Sequence, residues 1–201
     1  MAQGGLDVPS DGATYGLIGG GGPLRLPLRL RLRLRLRLRL RLRQVSVLIS
    51  AAPGAMVGTA VHPDVIAFER DAPEAAVDVA LRWSDSREER VRGFANGVPT
   101  LEGSTHLLGF RDGLAAAVNA YALERRLLTA ADPDPSADRI CQGLTAVVSV
   151  KLDRPEFLGA TRGTLGNPAA RPCVAETVRD RLGTWFAEQP ERAGALVCRF
   201  L

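Results

Sequence analysis

FANGVPTLEGSTHLLGFRDGL, residues 94–114, passes from strand chemistry to helix chemistry within one short stretch. Val91 to Ala95 reads as a short strand. From Gly103-Ser104-Thr105 onward the period changes: Leu107, Phe110/Arg111, Leu114, Val118, Tyr121 and Leu128 recur at steps of three and four, one face of a helix. Ser104 or Thr105 can cap that helix by accepting a backbone N–H. Asp132-Pro-Asp-Pro-Ser136 is a break, and residues 136–142 hold one short helical turn. Beyond it, in GLTAVVSVKLDRPEF (143–157), Leu144, Ala146, Val148, Val150 and Leu152 alternate with Thr145, Val147, Ser149 and Lys151, a half-buried strand ended by Pro155. Asn167-Pro168 has the form of an N-cap followed by proline at the first helical position. A start at Pro172 is the alternative, because it avoids a proline inside the helix. Val174, Val178, Leu182 and Trp185/Phe186 mark that second helix, which stops near Pro190. Upstream, Val77, Val79, Leu81 and Trp83 alternate with Asp78, Arg82 and Ser84 as a strand, Ser84-Asp85-Ser86 is a turn, and HPDVIAF (62–68) supplies an earlier strand. The order of three strands, helix, strand, helix predicts an α+β sandwich with helices on one face of the sheet.

A chain of 201 residues, 46% hydrophobic and 24% charged, holds one domain with a real core, with or without a tail. The net charge of +4 belongs to one segment. Arg25 and the eight arginines Arg29, Arg31, Arg33, Arg35, Arg37, Arg39, Arg41 and Arg43 sit in one tract, and without these nine the rest has 17 basic against 22 acidic residues. The folded part is therefore mildly acidic, and its charge balance does not make it a nucleic-acid binder. Lys151 is the one lysine against 25 arginines, so a family lysine can stand here as arginine. Cys141, Cys173 and Cys198 are odd in number and lack CxxC spacing, which predicts inert, mostly buried thiols rather than a disulfide framework or a zinc site.

The first sixty residues differ in kind. Residues 1–23 are Gly-rich without the GxxxxGK[ST] or GxGxxG spacing of a phosphate loop and read as a disordered tail. Residues 24–43 alternate Leu and Arg, and as one strand would span about 65 Å against a usual 17–20 Å. That tract is low complexity, read either as a solvated or misassembled tail or as a segment whose arginines bind DNA, weakly, or RNA or an anionic membrane surface. Residues 44–60 are a linker. VSVLISAAPGA (45–55) follows the order of a signal peptide, but its apolar part is short and starts past position 44. No 18-residue apolar run exists, so no spanning helix is expected.

The phrases at 94–114, 143–157 and GATRGTLGN (159–167), with HPDVIAF and VDVALRWSDS (77–86) before them, together resemble the transducer domain of DNA gyrase B subunits, the ATP-operated half of type IIA topoisomerases. The resemblance covers residues 61–201. It implies the ribosomal-protein-S5-domain-2-like fold with a left-handed βαβ crossover. It also implies a role in passing ATP-driven clamp closure to DNA strand passage, with ATP and Mg as cofactors of the complete enzyme. The implied partners are DNA, the gyrase A subunit and the ATPase domain of a complete B subunit, in the cytoplasm and away from membranes. Homodimerisation is compatible with it.

In the family, the phrase matching 159–167 reads GQTKTKLGN, and its Gln and first Lys touch the γ-phosphate. Ala160 replaces the Gln and Arg162 the Lys, so the resemblance implies a half-kept phosphate-sensing loop carried by Arg162 and Thr161. An arginine binds phosphate through two N–H groups but needs a different geometry. GSTH (103–106) stands where the family has GGTH, and His106 reads as a helix-start packing residue. Cys141-Gln142 replaces Arg-Glu, which suggests a relaxed salt bridge or interface. Glu102 reads as a charge at the helix start, Asp85 as a turn charge and Asp78 as a strand-edge charge. No carboxylate pair or Ser/His/Asp set argues for catalysis. The family's ATPase and cleavage motifs are not in the sequence, so a truncated gyrase-B-like protein is expected, inactive alone and binding no ATP or Mg by itself. The alternative is a non-catalytic DNA- or gyrase-binding modulator using the arginine tract; a salt titration separates the two, because tract-driven DNA binding falls steeply as salt rises.

Overall fold

A computed structural model describes residues 59–71, 75–101, 103–129, 131–161 and 163–201. The Gly-rich segment, the Leu-Arg tract and all of the linker before Thr59 lie outside these residues, as do Glu102 and Arg162. The alternating segments form strands β1 (Ile66–Asp71), β2 (Ala76–Trp83), β3 (Arg90–Ala95), β4 (Val98–Thr100) and β5 (Leu144–Lys151). They make one mixed sheet in the order β1-β2-β5-β3-β4, in which only β3 and β5 run parallel. Between those parallel neighbours the chain makes helix α1 (Thr105–Glu124) and the single turn α2 (Ala137–Ile140). After β5 come a two-stranded hairpin, β6 (Phe157–Leu158) and β7 (Thr164–Leu165), then α3 (Ala170–Glu188) and α4 (Pro190–Val197).

The period-two pattern sorts the sheet into faces. Val77, Val79, Leu81 and Trp83 on β2, and Leu144, Ala146, Val148 and Val150 on β5, are buried and join Leu107, Phe110, Leu114 and Val118 of α1 and Val178, Leu182 and Phe186 of α3 in one core. Each such aliphatic or aromatic side chain contributes about 1.5–3 kcal/mol on full burial, which makes this shared layer the main stabilising feature. Trp83 lies at its end, fully buried, with its indole N–H donating to the Ile140 carbonyl oxygen at 2.8 Å and its ring tilted against Phe200 at 5.8 Å.

Several expectations shift in register. Asn96-Gly97, at φ 50° and 84°, makes the two-residue hairpin from β3 to β4, the dipeptide that such left-handed turns favour. Asn96 also closes the end of β5: its amide donates to the Leu152 carbonyl and accepts from the Leu152 N–H, both at 2.8 Å. The first long helix ends at Glu124 and does not reach Leu128, because Arg126 turns to φ 56°. The second starts at Ala170, so Asn167 is not its cap. Pro172 falls in the first turn, where its missing N–H removes no helix bond. Pro190 opens α4 as its first residue while α3 stops at Glu188. Asp78 is not on an edge strand, since β2 is paired on both sides. Asp85 does serve a turn, accepting from the Thr59 N–H at 2.7 Å. Of the cysteines Cys141 is buried, Cys173 half-buried and Cys198 exposed, and none is in a disulfide; burial pushes the Cys141 thiol up to about 12.

The crossing of α1 over α3 depends on two glycines. A Cβ at Gly113 would lie 2.6 Å from the Ala175 carbonyl oxygen, and one at Gly109 would overlap the Arg171 carbonyl oxygen still more. Outside the crossing, Arg171 pairs with Asp112 at 2.6 Å. Helix propensity alone favours Gly→Ala by about 1 kcal/mol, whereas forcing two backbones apart costs about 1–3 kcal/mol, occasionally more. Gly109→Ala is therefore expected to lower the thermal midpoint. Gly183→Ala in α3, where nothing lies within 4 Å of the added Cβ, is expected to raise it. Thermal unfolding of the two variants checks both signs; a Gly109→Ala variant at least as stable as the parent would contradict the close crossing.

Candidate functional site: the loop between β6 and β7

The loop Gly159–Gly163 projects from the β6–β7 hairpin, and its stem is fastened from two sides. On one side Asn167 clamps the hairpin, its side-chain oxygen accepting from the Glu156 N–H at 2.7 Å and its NH2 donating to the Arg154 carbonyl at 2.9 Å. The Gly166 N–H adds a bond to the Glu156 carbonyl at 2.8 Å. An asparagine does this well because one amide holds a donor and an acceptor. On the other side the Leu101 N–H donates to the Gly163 carbonyl at 2.7 Å, and the Leu165 N–H donates to the hydroxyl of Ser104 at 3.1 Å. Gly159 sits at φ 82° with open space where a Cβ would be, so glycine here serves the backbone turn rather than a packing contact. A Cβ at Gly163 would press on Leu101 at 2.9 Å, so that glycine serves close packing.

Of the two residues expected to sense phosphate, Thr161 is exposed in this loop, and so is Ala160 beside it. Arg162 lies outside the described residues, as do the eight tract arginines from Arg29 to Arg43. Neither fastening can be foreseen from the sequence pattern, which puts Ser104 and Asn167 at helix caps. A polar residue before a helical run has the same signature whether its side chain turns to the helix or to a loop.

His106 stands where the sequence puts it, packed at the helix start. It is fully buried, Nε2 lies 3.3 Å from the Thr100 hydroxyl, and Nδ1 is buried without a partner. A Cβ at Gly93 would lie 2.8 Å from Nε2, so β3 has room for this imidazole only because it carries glycine there. Burial lowers the His106 pKa to about 4. His62, buried against Trp83 and Trp185, is also lowered, chiefly by burial. A His that takes up protons more readily unfolded than folded stabilises the fold above its unfolded pKa near 6.5, and that stability is lost as pH falls toward 4. For His106 the loss reaches about 2 kcal/mol by pH 5. Denaturant unfolding at pH 7 and pH 5 is expected to show it, with His106→Asn flattening the slope; an unchanged slope would mean that the imidazole protonates without unfolding.

Away from the loop a cleft of about 500 Å³ lies between β3 and α1, lined by Glu89, Arg90, Arg92, Leu107, Leu108 and Arg111 among others. Its cations are largely paired: Arg111 with Glu89 at 2.6 Å and Asp138 at 3.0 Å, and Arg90 with Glu88 at 3.0 Å. These ion pairs lie beside Cys141, where the sequence suggested a relaxed salt bridge; the charges stand instead on Arg111, Glu89 and Asp138. Among the described residues no group of His, Cys, Asp and Glu could hold a metal ion, and no helix is long and apolar enough to cross a membrane.

A mixed five-stranded sheet with a helical layer is an arrangement shared with ATP-binding domains of topoisomerase proteins of known structure. The crystal structure of the 43K ATPase domain of Thermus thermophilus gyrase B, in complex with an aminocoumarin, superposes with a TM-score of 0.69 at 31% identity, over 77% of this chain and 41% of that one. The topoisomerase IV ATP-binding domain of Francisella tularensis, in complex with a small-molecule inhibitor, gives a TM-score of 0.57 at 28% identity, over 67% and 38%. The sequence model of the family described as DNA gyrase B matches residues 51–201, and the chain belongs to that family. The DNA gyrase B protein of Micrococcus luteus is 44% identical over 141 residues, covering 68% of this chain and 20% of the relative. That of Mycobacterium tuberculosis is 38% identical over 138 residues, covering 69% and 20%. The chain thus spans about a fifth of the length of the curated relatives it matches.

Proposed function

We propose that residues 61–201 are a transducer domain of the gyrase B type, on a ribosomal-protein-S5-domain-2-like fold. Its 159–163 loop answers to the γ-phosphate of ATP held on a neighbouring ATPase domain. The observation that carries this reading is the loop itself: its stem is fastened at Asn167 on one side and at Leu101 and Ser104 on the other, while its apex at Ala160 and Thr161 is exposed. A loop so held keeps its tip in register with the sheet at little entropic cost on contact. Leu101 and Leu158 beside it are 59% and 56% exposed, apolar surface that a docked domain would cover. Among the described residues no group of His, Cys, Asp and Glu could hold a metal ion. On this reading ATP and Mg would be held by the ATPase domain, with Arg162 and Thr161 reaching them from outside.

On this reading the complete enzyme is a cytoplasmic, ATP-hydrolysing DNA topoisomerase with DNA and the gyrase A subunit as partners. This chain alone does not turn over ATP, and the tract arginines Arg29 to Arg43 add weak DNA affinity at most. The experiment is a graft: residues 61–201 replace the transducer of an active gyrase B protein, and ATP-dependent supercoiling is measured with the A subunit present. Supercoiling above that of a gyrase B with the transducer deleted supports the reading. A folded graft that binds the A subunit yet supercoils no better than the deletion counts against it.

A further inference from the structure

Ser104 lies between the loop and the first turn of α1 and is bonded to both. It is fully buried. Its hydroxyl donates to the Leu101 carbonyl at 2.7 Å and accepts from the Leu165 N–H at 3.1 Å. Its own carbonyl accepts from the Leu107 and Leu108 N–H groups at 2.9 and 3.0 Å, the opening bonds of α1. A serine at a helix N-cap ordinarily turns its hydroxyl onto an N–H of the first turn. Ser104 makes no such cap bond; the hydroxyl is committed to the loop stem instead. The glycine that the family resemblance puts at this position has no hydroxyl, and Leu165 would lose that acceptor.

We propose that Ser104 is a positioning residue that latches the 159–163 loop to the first turn of α1, so that displacement of the loop is felt at the helix start. For its functional meaning this rests on the loop's phosphate-sensing role. The path is short. A pull on the loop must either break the Leu101–Gly163 and Leu165–Ser104 bonds or carry residues 101–104 with it. In the second case the shared acceptor of Leu107 and Leu108 moves, and the first turn of α1 is strained. The Leu165–Ser104 bond is made between buried residues, each at 0% exposure, where breaking it leaves polar groups without water. The second route is therefore favoured.

The test is a double-mutant cycle read by amide hydrogen exchange on the full chain. Asn167→Ala loosens the hairpin stem without touching α1. It is expected to speed exchange at the Leu107 and Leu108 amides roughly three- to tenfold, about the effect of one neutral hydrogen bond. Val148 and Val150, in the centre of the sheet, serve as the measure of global opening and stay unchanged. In the Ser104→Ala background the same Asn167→Ala change should leave Leu107 and Leu108 unaffected, and Ser104→Thr, which keeps the hydroxyl, should restore the response. An Asn167→Ala effect of equal size in both backgrounds, no effect in either, or a Thr variant that behaves like Ala overturns the latch. These readings need no nucleotide. Failure of the phosphate role would show only as an inactive graft, with the exchange coupling intact.

Discussion

Trp83→Ala is expected to lower the thermal midpoint by roughly 10–20 °C, from a loss of about 3–5 kcal/mol. Among the described residues Trp83 is the largest fully buried side chain, so its removal leaves a large void in the core. It is also more than packing. The indole N–H is bonded to the Ile140 carbonyl at the end of α2, the ring lies against Phe200 near the C-terminus, and its backbone carbonyl accepts from the Val61 N–H at 3.0 Å. One residue thus joins the β2 end of the sheet to the first described loop, the turn before β5 and the last residues of the chain. Trp83→Phe keeps most of the ring and loses the bond. It is expected to cost about 1–3 kcal/mol, the effect of leaving a buried acceptor unpaired. Trp185→Ala, at a partly buried site, should cost less than Trp83→Ala. Calorimetry or near-ultraviolet circular dichroism on the three variants checks the order. A Trp83→Ala midpoint within a few degrees of the parent would mean that the α2 corner is not part of the cooperative unit.

The second large effect concerns Arg162. In an active gyrase B protein carrying residues 61–201 as its transducer, Arg162→Ala is expected to reduce supercoiling roughly ten- to a hundredfold. That range follows from a charge-assisted hydrogen bond worth about 1.5–3 kcal/mol. The side chain of Ala160 offers no donor, so no side-chain amide at that position compensates. Arg162→Lys separates charge from geometry. If the graft uses the planar fork of the guanidinium, lysine restores only part of the rate; if it uses a point charge, lysine restores most of it. Equal rates for the arginine and alanine forms would show that the loop charge is idle, while the graft's own activity would still support the transducer reading.

Strands β2 and β5 of the central sheet were legible in sequence because alternation is a local signal, whereas β1 starts at Ile66 within HPDVIAF and runs on to Asp71, and the short β4 was not foreseen. Val77 to Trp83 and Leu144 to Leu152 carry their burial pattern residue by residue. The first long helix was legible for the same reason through Leu107, Phe110, Leu114, Val118 and Tyr121. Family membership was legible too, since the phrases at 94–114 and 143–167 stand in fixed order and the family match spans them. Arg111 shows where a local pattern misleads: it shares a helical step with Phe110, and the fold turns it outward to Glu89 and Asp138.

What sequence could not supply was the partner of any polar side chain. Ser104 and Asn167 each have the pattern of a helix cap, and each instead bonds across a gap of sixty-one or eleven positions in the chain, to Leu165 and to Glu156. Gly109 and Gly113 look like weak points in a helix, and only the approach of the Arg171 and Ala175 carbonyls makes them necessary. The pairing of β3 beside β5 rather than beside β2 is likewise a tertiary choice. Periodicity and turn chemistry act between neighbours in the chain and so can be read from it. Hydrogen-bond partners, helix approach and strand order are settled by segments far apart in sequence competing for one core.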